Sequence, residues 1–203
     1  MIRKLFGATN DLVFKKVFGD EKNQIIIKDF LDSILDIKKE EYENIRVVDP
    51  FIKIQNYAKD KIGILDIKLK LKSGKIIDIE IQVAYKENIR ERVLYYLSNM
   101  ILDQMGPGED YDKIQKVVSI LIAAEHILIK ENDNCHNKYL LIDKKTNSTF
   151  TNKIEINTLE ILKLPKDIEN DNLIMWIKFL KAKSEEDLKM VYDTKNQAIK
   201  EAV

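Results

Sequence analysis

An α/β fold, a mixed sheet flanked by helices, is what the sequence predicts, and three observations predict it. Two segments, residues 64–71 and 76–83, alternate apolar and polar side chains on either side of Lys72-Ser73-Gly74. Helical periodicities stand before and after that pair. A near-continuous apolar stretch from Ile114 to Ile129, containing Val117-Val118-Ser119-Ile120-Leu121-Ile122, has the character of a central strand covered on both faces. The resulting order is helix, three strands, helix, strand.

Taken from the N-terminus, an amphipathic helix is expected near residues 9–19 and a second over about 21–36, with Ile25, Ile26, Phe30, Ile34 and Leu35 at helical spacing. Residues 47–55 have strand character broken at Pro50. The hairpin of 64–71 and 76–83 follows. Residues 86–105 put Ile89, Val93, Tyr96, Leu97, Met100 and Ile101 on one helical face and Arg92, Tyr95, Asn99 and Asp103 along another, and Gly106-Pro107-Gly108 ends the helix. Beyond the apolar strand, residues 131–153 form a polar excursion with a hairpin at 138–142 and 149–154. After Pro165 two helices are expected, near 170–182 and 184–201, with Trp176 and Phe179 anchoring the first. Residues 1–130 would form the core, and 131–203 a hairpin and mostly helical extension packed on it.

The hairpin carries the chemistry. Leu65, Ile67, Leu69 and Leu71 share one face and Asp66, Lys68 and Lys70 the other; Ile77, Ile79, Ile81 and Val83 oppose Asp78, Glu80 and Gln82 in the same way. A three-residue loop ending in Gly74, free to adopt the left-handed conformation, sets Asp66 opposite Glu80, Lys68 opposite Asp78 and Ile67 opposite Ile79. A two-residue loop would mix the faces, which one-sided burial forbids. Like charges placed directly across strands cost roughly 0.2–1 kcal/mol, so the Asp66/Glu80 pair needs a reason. A hard divalent cation, held by one or two carboxylates with waters and phosphate oxygens, is one reason. Screening on a solvated sheet face is another. On either, removing one carboxylate is expected to relieve repulsion without opening a cavity.

Composition bounds the rest. The 203 residues hold 34 basic and 34 acidic side chains, a formal net charge of zero, so any affinity for nucleic acid must come from a local patch. Six glycines and three prolines suit a globular chain. The single Cys135 excludes an internal disulfide and a Cys-rich zinc site, and a reducing cytoplasm is the expectation. Charges return at Asp11, Lys15 and Lys16 before a signal-peptide core can form, and no apolar run reaches membrane-spanning length. Four arginines among many lysines, with abundant Ile and Asn, suggest an A+T-rich bacterial genome. His126 and His136 have no ligand spacing, and nothing matches a phosphate-binding loop, a dinucleotide fingerprint or a serine nucleophile elbow.

Asp66, followed by Glu80 and Gln82, resembles the site of the PD-(D/E)XK nucleases in the branch where Gln replaces the Lys, and the chain as a whole resembles the recombination-promoting nuclease and putative transposase family. Thr9-Asn10-Asp11, Phe14-Lys15 and Val17-Phe18-Gly19 look like its opening helix, and Leu65-Asp66-Ile67 and Asp78-Ile79-Glu80-Ile81-Gln82 like its metal-site strands. Arg92 to Tyr96, Gln104 and Gly108-Glu109-Asp110-Tyr111 follow its next helix and loop; Ile154-Glu155-Ile156, Leu159 to Leu164 and Trp176 to Leu180 look like its C-terminal signature.

The resemblance implies a restriction-endonuclease-like core and metal-dependent DNA endonuclease activity linked to recombination or mobile DNA. Asp66 and Glu80 would bind Mg²⁺ or Mn²⁺, joined by the Ile81 carbonyl as in similar enzymes, and Asp66, Glu80 and Gln82 would form the catalytic set. Gln82 can orient water by hydrogen bonding but has no charge to give. Asp11 would be an accessory acid, although an Asp after Thr-Asn also simply starts a helix. Asp78 is a second accessory candidate. Lys68 either supplies positive charge to phosphate or forms a cross-strand pair with Asp78. Arg92 and Tyr95 either grip DNA or, for Arg92, close a structural ion pair. DNA is the expected partner, a membrane is not, and a homodimer stays open. The alternative is a nuclease-fold module, catalytically weak or inactive, that binds DNA or a partner protein.

Overall fold

The computed structural model describes residues 7–50, 65–165 and 171–203. Its centre is a six-stranded mixed sheet in the order β1-β2-β3-β4-β6-β5. The strands are β1 (Arg46–Val48), β2 (Ile67–Lys70), β3 (Ile76–Gln82), β4 (Val117–Ala123), β5 (His136–Ile142) and β6 (Thr149–Glu160). Helices α1 (Asp11–Phe18), α2 (Gln24–Ile34), α3 (Ile89–Leu102), α4 (Asn172–Lys181), α5 (Glu185–Tyr192) and α6 (Gln197–Ala202) flank it. The fold is the α/β, restriction-endonuclease-like one expected, with helices on both faces of an open sheet. The first strand's expected continuation through Gln55 lies outside the described residues.

The hairpin has the expected register, pairing Ile67 with Ile79, Lys68 with Asp78 and Leu69 with Ile77. Leu71 N–H donates to the Lys75 carbonyl at 2.9 Å and Gly74 N–H to the Leu71 carbonyl at 3.0 Å, with Gly74 at φ 88°. β3 then runs parallel to β4, and β4 parallel to β6. All seven residues of β4 are buried, as a strand between two parallel neighbours with both faces covered should be. The hairpin expected after residue 131 continues the sheet past β4, and its second strand runs to Glu160 rather than ending at Ile154.

Alternation divides the core in two. Ile67, Leu69, Ile77, Ile79, Ile81, Val118, Ile120 and Ile122 meet α1, α2 and α4, where Phe14, Phe18, Phe30 and Trp176 interlock with ring centroids 4.7–5.7 Å apart. The opposite face meets α3 through Val93, Tyr96, Leu97 and Met100. Three expected apolar positions move, the first being Val83, which lies past the end of β3 and is exposed. Ile25 is exposed and Ile27 takes its place inside. Leu65 joins the α3 cluster, apart from Ile67 and Leu69, because the backbone bends at Asp66 before β2 begins. The single helix expected over 184–201 is two, α5 and α6, separated at Asn196, whose side chain caps α6 by accepting from Ile199 N–H.

The larger correction concerns the polar face of the hairpin. A solvated sheet face was one reading, but α3 covers it, so Lys68, Asp78, Glu80 and Gln82 are all buried. Salt screening therefore does little for the carboxylates there.

Candidate active site

The site is built where the β2–β3 ladder stops. Beyond the Ile67–Ile79 pair, side chains take over from backbone: Asp66 N–H donates to Glu80 Oε1 at 3.0 Å, and Ile81 N–H donates to Asp66 Oδ2 at 2.9 Å. Each carboxylate is thus pinned to the opposite chain segment. The bend that removes Asp66 from the strand is what lets its side chain reach the Ile81 amide.

Cations surround the pair. Arg92, one turn into α3, donates from Nη2 to Glu80 Oε2 at 2.5 Å and from Nε to the Tyr96 hydroxyl at 2.9 Å, with the guanidinium carbon 5.1 Å from the Tyr96 ring centre. Lys15 on α1 places Nζ 3.8 Å from Asp66 Oδ1 and 3.1 Å from Asp11 Oδ1. One ammonium therefore joins Asp11 to the site. The capping residue of α1 is Asn10, which accepts from Leu12 N–H, while Asp11 sits in the first turn.

Burial sets the electrostatics. The Glu80 side chain is 1% exposed, and burial first, then the charge of Asp66, raise its pKa from 4.5 to about 7 against the opposing pull of Arg92. Asp78 is fully buried, and desolvation, reinforced by Glu80 and Asp66, lifts it well above the ordinary carboxylate range. Ser119 Oγ donates to its Oδ2 at 3.3 Å, and its Oδ1 has no hydrogen-bond partner among the described residues. Asp78 is therefore a sealed neighbour of the pair, with no carboxylate oxygen open to solvent.

Lys68 lies opposite Asp78 in register, yet its ammonium pairs with Asp103 at the C-terminal end of α3, at 3.4 Å. The cross-strand pair with Asp78 is not the one formed. A groove of about 470 Å³ begins there, lined by Lys68, Lys70, Lys113, Gln115, Asp49 and Asp103. Tyr95 is 41% exposed and tilted against Tyr96. Gln82 is buried at the end of β3. The histidines serve structure: His126 Nδ1 lies 3.4 Å from the Val83 carbonyl and His136 Nε2 3.0 Å from Asn157 Oδ1.

The donor chemistry suits a hard divalent cation. Asp66 and Glu80 offer only oxygen, and two carboxylates held against each other form the kind of donor set that such a cation takes together with water. Among the described residues no group of three or more His, Cys, Asp or Glu side chains is placed to hold a metal ion, so this pair is what protein ligation would use. Sequence reasoning missed Lys15, the Tyr96 hydroxyl and Asp103. Lys15 shares a helix face with Asp11 by its four-residue spacing, but no sequence signal says that this face meets Asp66.

A family model described as PD-(D/E)XK nuclease family transposase matches residues 8–203. No curated protein and no solved structure matches the chain.

Proposed function

The chain belongs to the PD-(D/E)XK nuclease family transposases, and from that premise we propose that it is a divalent-metal-dependent DNA endonuclease acting at Asp66 and Glu80. The family supports a nuclease or mobile-DNA role with DNA as substrate; the metal requirement and the endonucleolytic reaction are the proposal. The observation that carries it is the carboxylate pair, Glu80 buried and Asp66 half-buried, pinned by reciprocal bonds to Asp66 N–H and Ile81 N–H, with Glu80 raised to about 7.

Asp66 and Glu80 would hold Mg²⁺ or Mn²⁺. When bound, the ion supplies Lewis acidity at the phosphate and acidifies water. The protein's own residues do the rest. Arg92 fixes Glu80 from α3, and Tyr96 fixes Arg92, so the carboxylate's position is held before substrate arrives. Gln82 contributes hydrogen bonding for a water and neither accepts nor supplies a proton. Lys70 and Lys113 line a groove that starts at Lys68, two residues from Asp66, and suit phosphate contact.

Incubation of plasmid with wild type in Mg²⁺ or Mn²⁺ is expected to nick or linearise it. Chelation, Asp66→Ala and Glu80→Gln should each abolish cutting. Variants that cut like wild type would place any activity elsewhere.

One observation favours a second reading, a DNA-binding module that does not cut. Arg92 and Lys15 already lie against the two carboxylates, so their charge is partly compensated by the protein alone. A wild type that binds duplex DNA with a steep salt dependence and leaves it intact in either metal would establish that reading instead.

A further inference from the structure

We propose that Lys15 of α1 presents the positive charge to the scissile phosphate at the Asp66–Glu80 site. This rests on the nuclease reading above and adds a residue to it. Phosphodiester hydrolysis gathers negative charge on the phosphate oxygens as the transition state forms, so a site gains from a cation fixed beside them. The position two residues after Glu80 is Gln82, which carries no charge. The cation must come from elsewhere.

Among the described residues, three basic side chains lie against or near the pair, and their contacts separate them. Lys68 is 8% exposed and its ammonium is turned to Asp103. Arg92 is committed twice, to Glu80 at 2.5 Å and to the Tyr96 hydroxyl at 2.9 Å, so its role is to position Glu80. Lys15 differs from both. Its side chain is 41% exposed, and Nζ stands 3.8 Å from Asp66 Oδ1, near enough to share the site and too far for a tight hydrogen bond. Its closer partner, Asp11 at 3.1 Å, is itself 60% exposed, and a solvated helix pair of this kind is weak. Among the described residues, Lys15 is therefore the cation that can turn to an incoming phosphate without breaking a buried contact.

In the reaction the water oxygen bonds to phosphorus and releases a proton to solvent, as the bond from phosphorus to the leaving sugar oxygen breaks and that oxygen takes up a proton from solvent. Lys15 stays protonated throughout and contributes charge alone. Because the side chain lies on the surface, its loss should leave the fold intact.

The test compares wild type, Lys15→Cys and Lys15→Arg on plasmid DNA with Mn²⁺, and then treats Lys15→Cys with 2-bromoethylamine to rebuild an ammonium on sulfur. The native Cys135 is buried, and burial raises its thiol pKa, so the new thiol is the one that reacts. Lys15→Cys should lose roughly 10²-fold in rate. Lys15→Arg and the aminoethylated protein should recover most of it. Thermal shift with Mn²⁺, which reads metal binding without turnover, should show Lys15→Cys binding the ion at least as well as wild type, since a neighbouring cation has been removed. Cutting by Lys15→Cys within about threefold of wild type, a rate that aminoethylation does not restore, or a loss explained by weaker Mn²⁺ binding would each overturn the proposal while leaving the nuclease reading in place. An inert wild type would overturn the nuclease reading and the role of Lys15 with it.

Discussion

Glu80 holds a proton more tightly in the folded chain than in the unfolded one. Its pKa rises from 4.5 to about 7, so between those values the native state binds more protons and stability falls as pH rises. The contribution is complete below about 4.5 and is lost on passing 7. Urea denaturation at pH 5 and pH 8 should therefore show wild type losing on the order of 1–3 kcal/mol relative to Glu80→Gln. Equal pH dependence in the two proteins would contradict the burial assigned to this carboxyl. Alanine is a different matter. The sequence suggested that deleting Glu80 relieves repulsion at no structural cost, but the side chain is enclosed and Arg92 depends on it. Glu80→Ala should lose about 2–3 kcal/mol without metal, below the full cost of breaking a buried pair because Arg92 keeps partial contact with water. A melting temperature at or above that of wild type would favour the simpler repulsion picture.

Among the elements, the β2–β3 turn is where local chemistry is least replaceable. Gly74 has φ 88°, and a Cβ there would stand 2.9 Å from Gln115 Cγ. Gly74→Ala should cost about 1–2 kcal/mol, combining backbone strain with a side-chain displacement. Since that turn fixes the register that sets Asp66 against Glu80, metal-induced stabilisation should weaken with it. A second junction joins helices distant in sequence. Asp29 Oδ2 on α2 accepts from Trp176 Nε1 at 2.7 Å, Asn196 Nδ2 at 2.7 Å and Asn172 Nδ2 at 3.1 Å. Asp29→Ala removes the shared acceptor of three donors, of which Asn196 Nδ2 keeps Asn172 Oδ1, and should cost about 2–3 kcal/mol. Hydrogen exchange in residues 197–202 should rise first, because Asn196 both caps α6 and ties it to Asp29. Unchanged exchange there would show that apolar contacts of Ala198 and Ile199 hold α6 without the network.

For the whole molecule, zero net charge means that DNA affinity depends on where the lysines lie. Lys68, Lys70 and Lys113 line one groove that runs from Lys68 to the hairpin turn at Gly74, and Lys15 and Arg92 border the site's carboxylates. Binding to duplex DNA should weaken steeply with salt despite the neutral total. Replacing Lys70 and Lys113 together by alanine should reduce the slope of log K against log salt by roughly two, about 0.9 for each phosphate contact removed. An unchanged slope would place the DNA path on another surface. The polar strip beneath α3 also explains why two cores are needed: one face of the sheet is filled by aromatic and aliphatic side chains, while the other combines Leu97 and Met100 with Asp78, Glu80 and Ser119. No helix among the described residues is long and apolar enough to cross a membrane.

Period-two alternation and a glycine-ended loop are local properties, so the chain alone determined the hairpin, its register, the opposition of Asp66 to Glu80 and the central place of Val117–Ala123. The same periodicity identified α3 and the Trp176 helix. Which face of the sheet stays wet is not local. That depends on where α3 docks, and its docking enclosed Glu80 while leaving Asp66 half-buried, moved Lys68 from Asp78 to Asp103 and gave Glu80 its Arg92 partner. The packing of α1 likewise brought Lys15 to Asp66 across fifty-one positions of sequence, a separation over which no helical or strand period carries information. Side-chain spacing within an element fixes which residues point the same way; only the packing of one element on another decides what they point at, how much water remains there, and so what charge they carry.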